Sequence, residues 1–297
     1  MRKLGMFLGL LGGFLVMLAL LAKFYATDQL MKTPLNVDTT TRLSGEAALG
    51  SDAPMPVKVT SITRTDSEKS TDKVVVWTNS SCVVRDEGDV PDCVSADDPQ
   101  DRLITASEDD FASDRITGMA VNDPKLVPAS AGEKSGLVNK WPFNSEKKTY
   151  PYWDASVGEA VDAKFDGEAT MDGLKVYKYK VTVDKAPIEV TDGVNGFYTT
   201  EKIITVEPLT GSIINQQEHQ VRVDTEGNNF ITLDIAFTDD QLKTSLKDTK
   251  ANVSSLNIIR QKVPLFGLIL GIPALLAGVF LATRRKDEDD DYDETDV

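Results

Sequence analysis

The stretch VPLFGLILGIPALLAGVFLA, Val263 to Ala282, runs for twenty residues without a charge. That is the length of helix that spans a bilayer core. Arg284, Arg285 and Lys286 follow at once, and then an acidic tail. Basic residues at the end of a span favour the cytoplasmic side, so the tail is expected in the cytoplasm and the chain before the span outside it.

A second apolar run opens the chain. After Arg2 and Lys3, the segment Leu4 to Ala22 carries no charge. It is longer than the apolar region of a cleaved signal peptide and has no small-x-small cleavage site after it, so it is read as a retained anchor. The expected layout is an N-terminal transmembrane anchor at 1–22, an extracytoplasmic region at 23–262, a C-terminal transmembrane helix at 263–283 and a cytoplasmic tail at 284–297. Both termini are then cytoplasmic in a two-pass protein of the cell membrane. Gly5, Gly9 and Gly13 in the first anchor, and Gly267 and Gly271 in the second, recur at four-residue spacing. Such stripes let helix backbones approach closely in lipid, within one chain or between copies.

The formal net charge is −15, and eight of the acids lie in the tail. The region between the anchors is acidic as well, which repels nucleic acid and argues against it as a partner. The bilayer itself is the expected partner.

Between the anchors most segments read as strands. The stretch TDQLMKTPLNVDTTTRLSGEAALGSDAPMP has few large apolar residues and is expected to be an extended connector or an irregular edge strand. VKVTSITRT and KVVVWTNSSCVV are β-branched strand patterns. Tyr177, Tyr179, Val181 and Val183 alternate with polar residues, the period of a half-buried strand, with the preceding MDGL as its hairpin turn. EKIITVEPLTGSIINQQEHQVRV reads as a hairpin across Pro208 to Gly211, and NFITLDIAF as another strand. Thr238 stands three residues ahead of Gln241, the spacing of a capping box, so an amphipathic helix is expected over about 238–262. The fold class is therefore a β-rich (α+β) extracytoplasmic domain, with a barrel as one form open to it, between two terminal transmembrane helices.

Cys82 and Cys93 are the only cysteines. Outside the cytoplasm such a pair predicts a disulfide, which stabilises by about 3 kcal/mol for a loop of this size. Acids crowd from Ser95 to Asp123, and Asp109, Asp110 and Asp114 are the calcium candidates there. The spacing of a calcium loop is absent, however, and a solvated acidic surface accounts for the same residues. His219, the sole histidine, sits in a polar strand without a nucleophile motif beside it and reads as a surface or packing residue.

Trp141, Phe143, Tyr150, Tyr152 and Trp153 fall within thirteen residues. Such a concentration builds a ligand-binding surface, for lipid or sugar, or else a domain core. The sequence around them, KWPFNSEKKTYPYWD followed by FDGEATMDGLKVYKYKV, resembles the actinobacterial membrane proteins of the porin PorA family, and the likeness runs through both anchors. That resemblance implies an envelope protein and, by the family's name, a pore. The architecture also resembles the class B scavenger receptors, which implies lipid binding and passage through a tunnel in the extracytoplasmic domain.

No nucleophile elbow, zinc-binding helix or phosphate-binding loop is present, so neither an enzyme nor a cofactor is expected. Three functions stay open. The domain binds or conducts a lipid or another apolar envelope molecule, it is a scaffold for envelope proteins, or it forms a pore. The anchors offer no intramembrane charge to line a channel, so a pore needs a homo-oligomer.

Overall fold

The computed structural model describes residues 2–283. The expected cytoplasmic tail and its basic triplet lie outside that range. The chain divides into two compact units, one made from its two ends, up to Leu30 and from Ser254, and the other from Met31–Val253.

In the first unit, helix α1 (Arg2–Leu21), followed after a π-helical turn by the short α2 (Thr27–Leu30), packs along α4 (Val263–Thr283), the last helix among the described residues. Both are long and apolar enough to cross a membrane. Glycine sets how closely they approach. A Cβ on Gly12 would stand 2.3 Å from the Leu275 nitrogen, one on Gly278 2.2 Å from the Gly9 nitrogen, and one on Gly5 2.7 Å from the Ala282 nitrogen. Gly267 and Gly271 are similarly tight against Ala19 and Gly12, whereas a Cβ on Gly9 or Gly13 would touch one atom, at 4.0 or 3.9 Å. The contact stripe thus runs through Gly12, a position off the four-residue spacing. Pro264 takes the first turn of α4, where its missing N–H is not needed, and Pro273 lies inside the helix.

The second unit is an antiparallel sheet of ten strands: β1 (Asp38–Leu49), β2 (Met55–Asp66), β3 (Val74–Arg85), β4 (Leu103–Asp114), β5 (Tyr150–Asp154), β6 (Glu159–Met171), β7 (Leu174–Thr191), β8 (Val194–Glu207), β9 (Ser212–Asp224) and β10 (Asn229–Phe237). Their order is β4-β3-β2-β1-β10-β9-β8-β7-β6-β5, and the sheet curls into a half-barrel. Chain neighbours pair within two meanders, β1 to β4 and β5 to β10; the β1–β10 pairing joins the meanders, and β4 and β5, consecutive in the chain, stand at opposite edges.

One expectation is corrected. The Thr-rich connector contains β1, which is not an edge strand but an interior one between β2 and β10. Its residues look polar because the surface it contributes is polar. The acid-rich run contains a full strand, β4, at one edge of the sheet. The hairpins agree with the sequence: Asp172 and Gly173 both take positive φ between β6 and β7, as a two-residue turn requires, and Pro208–Gly211 joins β8 to β9. Cys82 and Cys93 are disulfide-bonded.

Helix α3 (Asp239–Asn257) follows β10. Its cap is half the expected box. Thr238 Oγ1 accepts from the Gln241 N–H at 3.1 Å, but the Gln241 side chain turns to the backbone N–H of Arg42, also at 3.1 Å. The helix start is thereby fastened to β1. Leu242, Leu246 and Val253 pack on Leu174, Val176 and Ile214 of the sheet.

Candidate functional site

Along each strand the side chains alternate faces, so register decides what the half-barrel presents on its concave side. Leu43, Val59 and Val83 form one apolar row across β1, β2 and β3. Two residues further along, the row is Thr41, Ser61 and Ser81, and the next is Thr39, Thr63 and Asn79. Beyond it stand Trp77 and Phe111, stacked 6.2 Å apart. A belt of hydroxyls and amides therefore crosses the floor between two apolar clusters. Asn79 Nδ2 donates to Ser61 Oγ at 2.9 Å and to Thr63 Oγ1 at 2.7 Å.

A cavity of about 620 Å³ lies over this belt. Phe237 of β10, paired with Leu43, lines it as well, as do Gln216 and Glu218 of β9 and the α3 residues Gln241, Ser245 and Asn252. Glu218 pairs with Lys202 of β8 at 3.3 Å, both side chains being about a tenth exposed. Burial alone would lower the Lys202 pKa, but Tyr152, Glu218, Tyr198 and Asp154 around it outweigh that and raise it. Burial also raises the pKa of the Tyr152 phenol, whose ring lies 5.5 Å from the Lys202 ammonium.

Lys140 comes in from the segment that closes the sheet. Ser113 of β4 bridges Ala120, Met119 bridges Leu137, and Leu137 bridges Tyr152 of β5, so these single pairings join the two outer strands. Lys140 follows directly. Its Nζ donates to Thr33 Oγ1 at 3.1 Å and sits 3.8 Å from the Phe143 ring centre. Burial pulls its pKa down to about 7, with Asp114 opposing the fall.

The aromatic group predicted from sequence is divided among several places. Trp141, Tyr150 and Tyr152 join Tyr179 and Leu137 in one cluster, with Trp141 5.5 Å from Tyr152 and 5.1 Å from Tyr179. Trp153 packs with Val75, Trp77, Phe111 and Val138 instead, and Phe143 lies under Lys140. Of the five, Tyr152 faces the cavity.

The calcium candidates each have protein partners. Asp109 pairs with Lys134 at 2.8 Å, Asp110 accepts from Thr78 Oγ1 at 2.7 Å, and Asp114 accepts from the Ile116 and Thr117 N–H groups. Among the described residues no three His, Cys, Asp or Glu side chains gather in a form that would hold a metal ion. His219 is half exposed, 2.6 Å from Asp234. Sequence reasoning missed Lys140, Lys202 and Glu218. The Thr alternation in DTTTRL and SITRT was the available sign of a polar inner face, and Lys140 opens the KWPF motif.

A family model described as Porin PorA matches residues 4–280. A Porin PorA from Corynebacterium amycolatum is 26% identical over 295 residues, covering 73% of this chain and 76% of that protein. A Porin PorA from Corynebacterium resistens is 31% identical over 102 residues, covering 30% of this chain and 24% of that one. Among solved structures, a LolA superfamily protein from Nitrosomonas europaea covers 72% of this chain and 91% of its own at 7% identity, with a TM-score of 0.15, too low to indicate a shared fold.

Proposed function

The chain belongs to the Porin PorA family, and on that premise we propose that it is a non-catalytic membrane protein of the cell envelope whose curled sheet accommodates a small polar solute. The observation that carries this reading is the polar belt of Thr39, Thr41, Ser61, Thr63 and Asn79 along the cavity. Asn79 satisfies one acceptor each on Ser61 and Thr63, and the remaining hydroxyl hydrogens facing the cavity need acceptors, which water or a hydroxylated or charged solute supplies and an acyl chain does not. The lipid-binding reading wants a continuous apolar wall, and the belt interrupts it.

The proposed topology has both terminal helices in the membrane, both termini in the cytoplasm and the sheet outside. Between Leu4 and Leu21 and throughout α4 there is no charged residue, and the helices meet with glycines against backbone. One copy therefore offers no lumen, and passage through the bilayer requires several copies side by side.

The full chain reconstituted into liposomes tests the reading. Uptake of small polar solutes above that of empty liposomes is expected. No uptake, together with stoichiometric acyl lipid retained by the purified chain and identified by mass spectrometry, would replace it with lipid binding. No uptake and no lipid would leave the scaffold role.

A further inference from the structure

Lys140 places an ammonium at the cavity, half buried, and its partners among the described residues are one hydroxyl and one aromatic ring. A buried cation ordinarily has a carboxylate within ion-pair distance, because the loss of hydration is otherwise uncompensated. Asp114, the acid whose charge acts on Lys140, spends one carboxylate oxygen on two backbone N–H groups and the Thr117 hydroxyl. Thr33 does not supply negative charge either. Its hydroxyl donates to the Arg115 carbonyl, and its own carbonyl accepts from the Arg115 guanidinium. The other charge facing the cavity, Glu218, is matched by Lys202. Lys140 is therefore the charge lining this space that has no ion-pair partner among the described residues, in a chain whose net charge is −15.

We propose that Lys140 is the counter-charge for a small oxyanion, a carboxylate or phosphate group, bound in the cavity under the curled sheet. The ammonium has donors to spare after its bond to Thr33, and the Thr39 and Thr63 hydroxyls and the Asn252 amide line the same space, both Asn79 N–H groups being taken by Ser61 and Thr63. An anion there gains a charge-assisted hydrogen bond in a medium of lower dielectric than water. The volume is many times the roughly 30 Å³ that one water takes up. This deepens the polar-solute reading and rests on it.

The test uses the full chain in detergent with its lysines carrying ¹³C-methyl groups, the Lys140 signal being assigned by its loss in Lys140→Met. Inorganic phosphate or acetate is expected to move that signal saturably and to raise its titration midpoint from near 7, leaving the other lysines in place. Calorimetry should show Lys140→Arg binding phosphate within a few-fold of wild type and Lys140→Met at least about tenfold more weakly, as expected for the loss of a charged partner. Short-chain phosphatidate binding where free phosphate does not would assign the oxyanion to a lipid headgroup. Absence of any anion-induced movement of the wild-type Lys140 signal overturns the proposal, whether or not Lys140→Met folds. Equal phosphate affinity in a well-folded Lys140→Met does the same. Binding is read here without flux, so failure of liposome uptake and failure of this site are separate results.

Discussion

Leu137 and Tyr152 form a parallel bridge in an otherwise antiparallel sheet. The Leu137 N–H donates to the Pro151 carbonyl at 2.7 Å, and its carbonyl accepts from the Trp153 N–H at 2.9 Å. On its other side Leu137 bridges Met119, and through Ala120 the connection reaches β4. These few bonds give the exposed edges of β4 and β5 a partner, which an open sheet of ten strands would lack.

Leu137→Pro should therefore open this seam, at a cost of about 1–3 kcal/mol beyond that of Leu137→Ala, which keeps the N–H. Hydrogen exchange at the Trp153 amide checks it. Equal protection in the two variants would show that the seam holds without the N–H at position 137.

Gly12→Ala should destabilise the helix pair by about 1–3 kcal/mol through overpacking against Leu275, whereas Gly9→Ala, which has room for a methyl, should be near neutral. Thermal unfolding in detergent compares the two. The reverse ranking would mean that α1 and α4 do not meet as described.

Removing one member of the buried Lys202–Glu218 pair leaves an uncompensated charge, so Lys202→Met or Glu218→Gln alone should cost about 3–5 kcal/mol. The double variant Lys202→Met/Glu218→Gln should cost less than the sum. Denaturant titrations of the three variants form the cycle, and strict additivity would deny the coupling.

The pH dependence of stability should carry the signature of Lys140. Its folded pKa of about 7 lies below the roughly 10.4 of an unfolded lysine, so between those values the unfolded chain binds more protons. Folding is then increasingly favoured as pH rises from about 7 to 10.4. The stability difference between wild type and Lys140→Met, measured across that window, should grow in favour of wild type. A flat difference would place an ordinary lysine at this position.

Elements whose signals are local could be read from the residues alone. Length and absence of charge fixed α1 and α4 as candidate spans, and alternation identified β7 and β10. Asp172-Gly173 and Pro208–Gly211 marked their hairpins, and two cysteines in one chain had a single way to pair. Tertiary structure decided everything that depends on register between distant segments. β1 is interior because β10, almost two hundred residues later, pairs with it from Leu43↔Phe237 to Leu49↔Ile231, a partnership that no local pattern in DTTTRLSGEAAL announces. Alternation says that Thr41 and Ser61 share a face with Leu43 and Val59, but which face is concave follows from the curl of the whole sheet. In the same way Lys140 reads as one more surface lysine in sequence. Its lowered pKa arises from burial, and that burial exists only once Leu137 has bridged to Tyr152 and Thr33 and Phe143 have closed around the ammonium.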